Sequence, residues 1–487
     1  MSVVAFTLCV LTIYLIGLKI VSYFAYRLSE KTTEDYFVAN RGVGLFALVA
    51  TTTASLCSTG TVVAHPSEFF TKGSSYFWIF FFLMVPIIML PFATRIAQVG
   101  KVKGFITPGQ MLGDYFQSKA VQIVAGFIGL VSMVPYAAAQ MVAIGKTFDA
   151  LTAGVVPYEV GISIVTIAIA MYVWYGGSRA VIWTDAVQGV IFAALLVATG
   201  FLAVKWAGGW ELVIENLKVE HREKTTFDIG LQYYEMIPLV CSFFFLPYVW
   251  QRSYMAKSTV KLAKTIVLVP VIFAILFFVT WVIGTSALVK FPDGLADGDS
   301  VLGALFNQNA PYFGAIFLVA AFAAGMSTVD SQLLSAGSIL THDIKRKIIK
   351  RRVVARLRWR DNYKFARVAT MVLLMGIYIW ALTLQNQSVV VLIILGISIN
   401  VVFLPILFGL FFWKRSSAAG ALWAMILGIA AFGTKGMTPL GEFFPTELNG
   451  ASWALIVSSV VFVALSFATS SERLMHSRIE YRKILAV

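Results

Sequence analysis

Long apolar blocks separated by short polar breaks run through this chain of 487 residues. The blocks are about 20 residues long, which is the length that an α-helix needs to cross a hydrocarbon core of roughly 30 Å. A membrane β-barrel would instead alternate apolar and polar residues in segments of about 10, and the sequence contains no such segments. The pattern therefore predicts an all-α polytopic membrane protein.

The apolar blocks predict thirteen membrane-spanning helices. Their approximate bounds are 3–24, 43–63, 76–98, 121–147, 158–177, 185–205, 230–249, 264–288, 312–341, 364–384, 388–412, 418–435 and 452–470. The first block has no basic segment before it, so we interpret it as a retained helix and not as a cleaved signal peptide. Composition agrees, because 59% of the residues are hydrophobic and 13% are charged, whereas soluble domains contain about 25% charged residues.

Lysine and arginine are distributed unevenly between the predicted loops. If the N-terminus is outside, most of the 38 basic residues fall in cytoplasmic loops, where membrane proteins concentrate them. Arg252 and a dense basic segment from Lys345 to Arg367 belong to these loops. We therefore predict a protein of the cell membrane with an outside N-terminus and a cytoplasmic C-terminus. The net charge of +14 is interpreted as facing lipid headgroups, with no nucleic-acid partner; specific lipid or protein docking of the basic segment is the alternative.

Cysteine and histidine give no sign of an enzyme. Cys9, Cys57 and Cys241 each lie within an apolar block, so they form neither a disulfide framework nor a zinc pattern. The histidines are scattered along the chain, at His65, His221, His342 and His476. Because no arrangement of a nucleophile with a base is evident, we expect no enzymatic activity.

Two of the predicted helices are interrupted. The second contains the Ser- and Thr-rich segment 50–66, which ends in Pro66, and the seventh contains Pro238 and Pro247. Proline removes a backbone donor and clashes with the preceding turn, and unwound backbone survives at membrane depth only where it is buried or lines a cavity. Breaks at equivalent places in two halves indicate a transporter binding site. Proline kinks that serve packing alone are the alternative.

The breaks also predict the internal organisation of the chain. Each falls in the first helix of a group of five, which is the arrangement of an inverted repeat. We predict a single transmembrane domain over residues 1–487, with a first repeat at about 43–205 and a second at about 230–412. Peripheral helices are predicted at 1–24, 418–435 and 452–470.

Buried oxygen atoms suggest a cation site. Asp330 lies well inside the ninth apolar block, and Ser327, Thr328 and Ser331 share its helical neighbourhood. Acidic residues at membrane depth are functional candidates, and hard cations prefer oxygen ligands. A face of small residues that lets helices approach closely is the alternative. Asp185, at the start of the sixth predicted helix, is either a second candidate or a charge that the helix dipole favours.

Several segments resemble the sodium/solute symporter family, which includes sodium-coupled proline, sugar, iodide and sialic-acid transporters. The resemblance runs from about residue 34 to residue 430. It rests on segments 35–41, 136–145, 172–188, 247–257, 326–334 and 412–421, which follow one another in the family's order. The resemblance implies a leucine-transporter-like inverted repeat of five helices, usually within thirteen helices and with the N-terminus outside.

The same resemblance implies particular cation ligands, with Na⁺ as the coupling ion. The residues implied for the sodium site are Ala54, Cys57, Ala324, Ser327 and Thr328. Some members of the family bind a second sodium, and the corresponding residues here, which also suit a proton, are Asp185, Ser327, Asp330 and Ser331.

We therefore expect sodium-coupled symport of a small polar organic solute into the cell by alternating access. A transporter-like solute sensor and a proton-coupled carrier are the alternatives. The candidate solute contacts are Ser58, Tyr136, Gln140, Phe243 and Asn400. The chain departs from the family's pattern around Pro66, which follows Val62-Val63-Ala64-His65 in place of the usual aromatic-Gly approach. The sequence identifies neither the solute nor an oligomeric state.

Overall fold

The computed structural model of the chain describes residues 1–30, 32–219, 236–295, 297–345, 362–437, 449–469 and 474–486. Regular structure in these residues is helical, with one isolated bridge between Val43 and Ala256. Nine helices of the described part are long and apolar enough to cross a membrane, and a bent pair of helices forms a tenth. The predicted all-α membrane architecture is therefore confirmed.

The helices of the apolar segments, some of which are halves of broken ones, are numbered α1 to α15 along the chain. Their bounds are α1 Val3–Arg27, α2 Leu45–Leu56, α3 His65–Lys72, α4 Val85–Lys103, α5 Lys119–Leu151, α6 Tyr158–Trp206, α7 Met236–Phe244, α8 Pro247–Met255, α9 Thr259–Lys290, α10 Pro311–Ile339, α11 Asn362–Ala381, α12 Val389–Ser398, α13 Phe403–Phe412, α14 Ala418–Met437 and α15 Gly450–Ala468. The helix predicted at 230–249 begins outside the described ranges. Most of the basic segment and His221 also lie outside them.

Helix α6 joins two of the predicted membrane helices without a loop. The sequence predicted one helix at 158–177 and another at 185–205, whereas the backbone stays helical from Tyr158 to Trp206 except at Gly177. Gly177 has φ of 52° and ψ of −150°, a conformation that only glycine adopts readily. One residue is therefore enough to change the direction of the chain, and the predicted polar turn stays helical on both sides of it.

The second predicted helix is broken in the middle. Helix α2 ends at Leu56, and after a short unwound segment the chain resumes with the π-helical turn Gly60–Ala64 and α3. The two halves meet at an angle of 59°. In the seventh predicted helix, α7 ends at Phe244 and α8 begins with Pro247. The breaks therefore lie where the Ser- and Thr-rich segment and the prolines predicted them.

Helix α10 lies at the centre of the molecule and packs against α2, α5 and α6. Every residue from Phe317 to Ile339 is buried. Small residues permit this close packing: a Cβ on Gly325 would lie 2.5 Å from Ile144 Cδ1 of α5. The helix that carries the predicted cation ligands is thus enclosed on all sides by the broken helix α2 and its neighbours.

Candidate cation and solute sites

The hydroxyl groups of α10 bind carbonyl groups of the broken helix. Ser327 Oγ donates to Ala54 O at 2.9 Å and to Ala324 O at 3.0 Å. Thr328 Oγ1 donates to Ser55 O at 3.2 Å and to Ala324 O at 3.0 Å. These residues, which we call the oxygen cluster, are fully or almost fully buried. Four of the five predicted sodium ligands therefore meet in one cluster between α2 and α10.

Cys57, the fifth predicted ligand, lies at the end of α2. Its N–H donates to Thr53 O at 2.8 Å, and its ψ of 86° turns the chain out of the helix. Among the hydrogen bonds of the described residues, none joins Cys57 to α10. The carbonyl that accepts from Thr328 belongs to Ser55, which the sequence reasoning did not single out. Ser55 precedes Cys57 by two residues, and which of these carbonyl groups faces α10 depends on the three-dimensional path of the chain at the break.

The two predicted carboxylates lie beside the oxygen cluster, and both are completely buried. Asp185 of α6 accepts from Thr51 Oγ1 at 2.5 Å and from Ser55 Oγ at 3.2 Å. Asp330 of α10 accepts from Tyr172 of α6, with 2.7 Å between its Oδ2 and the phenol oxygen. Asp185 therefore links α6 to α2, and Asp330 links α10 to α6.

A buried arginine sits between these carboxylates, and the sequence analysis did not place it there. Arg252 was assigned to a cytoplasmic loop, but it lies on α8 with its side chain only 5% exposed. Its guanidinium donates to Asp185 Oδ2 at 3.3 Å, to Ser331 Oγ at 2.6 Å and to Ser55 Oγ. The sequence offered one signal for this placement, because Arg252 follows shortly after Pro247. The helix that begins at this proline continues to Met255, beyond the end of the apolar run.

Among the described residues, the two carboxylates differ in their contact with Arg252, because only Asp185 forms an ion pair with it. In the described residues, the hydrogen bonds to Asp330 come from the neutral hydroxyls of Tyr172 and Ser331. Buried charges are stable only when they are paired and hydrogen-bonded. This region can therefore accept one additional positive charge near Asp330.

An apolar cavity adjoins the break on its other side. It is bounded by the break between α2 and α3, by the segment Gly73–Met84, and by α5, α7, α9 and α12. The described residues that line it include no Asp, Glu, Lys or Arg. Its polar lining consists of Ser58, Thr61, His65, Tyr76 and Tyr136. We call this space the apolar cavity.

Three of the five predicted solute contacts line the apolar cavity, namely Ser58, Tyr136 and Phe243. Gln140 instead braces the break, because its Oε1 accepts from Thr59 N at 2.9 Å and from Thr59 Oγ1 at 2.6 Å. Asn400 is fully buried, and its Nδ2 donates to two carbonyl groups of the preceding helical turn at 3.2 Å. The structure therefore puts these two amides next to the backbone rather than in the cavity lining.

A second, smaller cavity lies on the side of the break that faces Arg252. It shares Leu56, Phe243 and Val269 with the apolar cavity. Thr52 and Arg252 also line it. The shared side chains separate the two spaces, so a solute that moves from one to the other must pass them.

Comparison with solved structures shows which fold the chain adopts. The fold matches a Na⁺-coupled sialic acid symporter, solved in a substrate-bound outward-open state, with a TM-score of 0.77 and 19% sequence identity. The match covers 96% of this chain and 98% of that chain. The all-helical fold, with its two broken helices, is therefore the leucine-transporter-like fold that the resemblance implied.

The family follows from the sequence comparison. The model of the sodium:solute symporter family matches residues 36–428, so the chain belongs to that family. The sodium/pantothenate symporter of Escherichia coli (strain K12) is 28% identical over 435 residues, which cover 86% of this chain and 88% of that protein. The sodium/proline symporter of Salmonella typhimurium (strain LT2) is 24% identical over 485 residues, covering 93% and 92%.

The predicted function is confirmed at this level. The chain is a sodium-coupled symporter that carries a small polar organic solute, with Na⁺ as the coupling ion. It is a transporter and not an enzyme, and it is a multi-pass protein of the inner membrane. Among the described residues, no three or more His, Cys, Asp or Glu side chains are grouped so that they could hold a metal ion.

Proposed function

We propose that one Na⁺ binds in the oxygen cluster between α2 and α10. Ala54, Ala324, Ser327 and Thr328 supply its oxygen ligands, and Cys57 supplies a further carbonyl when the ion is bound. The observation that carries this proposal is that Ser327 Oγ lies 2.9 Å from a carbonyl of the broken helix and 3.0 Å from a carbonyl of its own helix. A hydroxyl that donates to carbonyls can rotate and turn its lone pair toward a cation.

The solute binds in the apolar cavity, and the shared break couples it to sodium. Ala54 and Ser55 precede the break and belong to the oxygen cluster, whereas Ser58 and Thr61 follow it and line the cavity. An ion that holds α2 against α10 stabilises the position of the cavity wall. Because coupling between two binding sites is reciprocal, the solute raises sodium affinity by the same factor.

One sodium ion supplies enough energy for concentrative uptake. A single charge that crosses a potential of ~100 mV gains about 2.3 kcal/mol. A tenfold sodium gradient adds about 1.4 kcal/mol. Together these terms support roughly 500-fold accumulation of a neutral solute, since every ~1.4 kcal/mol is a factor of ten.

Arg252 takes the place of a second sodium ion. The sequence placed a second cation between Asp185, Ser327, Asp330 and Ser331, and the Arg252 guanidinium donates to two of these residues. A tethered cation here neutralises Asp185 and leaves the charge of Asp330 to offset one Na⁺ in the adjacent oxygen cluster. This arrangement supports a stoichiometry of one sodium ion per protein.

Binding of ²²Na⁺ to purified protein tests this stoichiometry without knowledge of the solute. We expect one ion per protein, and Asp185→Asn should leave this number unchanged. Arg252→Met removes the tethered charge and should raise the number to two, because two buried carboxylates then lack a partner. The double variant Arg252→Met/Asp185→Asn should return it to one. Two ions bound to the unaltered protein, or one ion bound to a folded Arg252→Met variant, would contradict the role of Arg252.

The orientation and the repeat boundaries complete the proposal. The distribution of Lys and Arg supports an outside N-terminus and a cytoplasmic C-terminus. The position of the breaks at the start of each group of five helices supports repeats at about 43–205 and 230–412. In this orientation the apolar cavity lies toward the outside of the break, and the smaller cavity beside Arg252 lies on the cytoplasmic path.

A further inference from the structure

The backbone donors at the helix break are already occupied by protein groups. Thr59 N donates to Gln140 Oε1 at 2.9 Å, and Gly60 N donates to Ser58 Oγ at 3.0 Å. Thr61 N donates to Ser58 O at 2.9 Å. An acidic or carbonyl group of a solute in the apolar cavity must therefore accept its hydrogen bonds from side chains.

His65 is held rigidly at one end of the cavity. Its Nδ1 lies 2.9 Å from the hydroxyl oxygen of Tyr76. Phe277 packs edge-on against the imidazole, with ring centroids 5.3 Å apart and an interplanar angle of 86°. The cavity lining includes all three residues. Two neighbours thus determine the orientation of the imidazole before any solute binds.

The second nitrogen of His65 is available to the solute. Tyr76 binds Nδ1. The hydrogen bonds of the described residues include none to the other ring nitrogen, Nε2. We assign Tyr76 as the donor to Nδ1, because a phenol O–H donates more strongly than a neutral imidazole N–H. The ring proton then lies on Nε2, which presents an N–H donor. Such a donor in a mainly apolar wall gives strong discrimination, because it prefers solutes that satisfy it over those that leave it unpaired.

The rest of the lining limits the charge of the solute. An ammonium group would be buried without a carboxylate, since no acidic residue lines the cavity in the described part of the chain. A carboxylate would likewise find no cationic side chain in the described lining, so a second one would add a further unpaired charge. Most of the remaining lining is apolar and includes Phe243, Phe273 and Ile394. The cavity therefore suits a solute with a mainly apolar body, no ammonium group and few polar groups, which His65 and the hydroxyl groups of the lining can bind.

We propose that the cavity binds a compact solute with a branched or cyclic apolar body and one oxo acceptor, which accepts a hydrogen bond from Nε2–H of His65. The acceptor is the oxygen of a carboxylate or of a neutral carbonyl. This inference rests on the proposed assignment of the cavity to the solute. It makes His65 a specificity-determining residue and narrows the solute to an amphiphilic acid or amide.

Thermal unfolding of the purified protein with matched probes tests the proposal. The probes are 4-methylpentanoate, 4-methylpentanamide, leucine and glucose, each measured in sodium chloride and in choline chloride. Leucine adds an ammonium group to the same skeleton, and glucose lacks an apolar body. A ligand that binds only the folded protein raises its melting temperature. We expect the acid or the amide to protect in sodium at about tenfold lower concentration than leucine or glucose.

Variants of His65 assign the donor. His65→Ala should raise the half-maximal probe concentration about tenfold, as expected for the loss of one buried hydrogen bond. His65→Gln keeps an N–H donor and should recover most of the affinity. His476→Gln, an exposed position on the terminal helix Met475–Leu485, is the matched control and should behave as the unaltered protein. The acid and amide arms show whether the acceptor is charged.

Three results would overturn the proposal: unchanged probe binding in His65→Ala, equal protection by leucine or glucose, or protection by sodium alone with no effect of any probe. Failure of the sodium site gives a different pattern. In that case sodium chloride protects the probe-free protein no better than choline chloride does. The result that contradicts the role of His65 therefore differs from the result that contradicts the sodium site.

Discussion

Ser327 and Thr328 are adjacent on α10, and their hydroxyl groups reach different residues of the broken helix. Ser327 binds Ala54 O, and Thr328 binds Ser55 O. Both also bind Ala324 O on their own helix. Each side chain therefore supplies one oxygen that can leave a protein hydrogen bond for a cation.

Replacing Ser327 by alanine should weaken sodium binding. The change removes one oxygen ligand and leaves the helix intact, so we expect the half-saturating Na⁺ concentration in ²²Na⁺ binding to rise about tenfold or more. Thr328→Ala should act in the same direction. Ser335→Ala is the control on the same helix, because the Ser335 hydroxyl is buried and forms no hydrogen bond within the described residues. Wild-type affinity in both alanine variants would exclude these residues as ligands.

At the scale of elements, Gly177 gives α6 its kink. A Cβ at this position would lie 2.5 Å from Tyr36 Cδ2 and 2.8 Å from Tyr36 O. The kink also aligns the second half of α6, so that Asp185 reaches Thr51 and Ser55 of α2. A backbone feature thus positions a carboxylate of the site.

Gly177→Ala should therefore destabilise the protein. The positive φ and the contact with Tyr36 together are expected to cost about 2 kcal/mol or more, which thermal unfolding in detergent would show as a clear fall in melting temperature. Gly376→Ala in α11 is the matched control, because nothing lies within 4 Å of its added Cβ. It should be neutral or slightly stabilising. Equal melting temperatures for the two variants would contradict this account of the kink.

The broken helices show how far local sequence can locate an element. Proline and Ser- or Thr-rich composition correctly predicted both interruptions. The length of the broken elements was harder, because polar residues such as Arg252 can continue a helix when buried partners are present. Local hydropathy does not register a partner that lies 67 residues away in the sequence, as Asp185 does from Arg252.

At the scale of the whole molecule, ion pairs and hydrogen bonds lie near both ends of α5. Toward its C-terminal end, Lys146 binds Asp299 at 3.1 Å. Toward its N-terminal end, Gln122 Nε2 donates to Asp343 Oδ1 at 2.7 Å, and Thr107 also donates to Asp343. In the proposed orientation, the Lys146–Asp299 pair joins elements at the outer end of the molecule. The hydrogen bonds to Asp343 join elements at the cytoplasmic end. Alternating access requires each set to open in turn.

Labelling of single cysteines tests the proposed orientation. Lys290 ends α9, Lys414 follows α13, and both side chains are exposed. In a background in which the native cysteines are replaced by serine, Lys290→Cys should react with a membrane-impermeant maleimide on intact cells. Lys414→Cys should react only after permeabilisation. The reverse pattern would invert the topology, and labelling of both sites on intact cells would contradict the number of helices between them.

The sequence by itself determined the membrane class, the approximate positions of the helices and the two breaks, and its spacing grouped Ser327 and Thr328 on one helix. These features depend on apolar length, on proline and on residues a few positions apart, all of which are local properties. The resemblance of short segments also identified the family and the coupling ion.

Only the tertiary structure decided what surrounds the site. It placed Arg252 against Asp185, moved Gln140 and Asn400 from predicted solute contacts to backbone contacts, and brought His65 into the apolar cavity. Each of these placements joins elements that are far apart in sequence or depends on the direction of a side chain after a break. The physical reason is that charge pairing and cavity lining are set by packing between helices, which no single segment encodes.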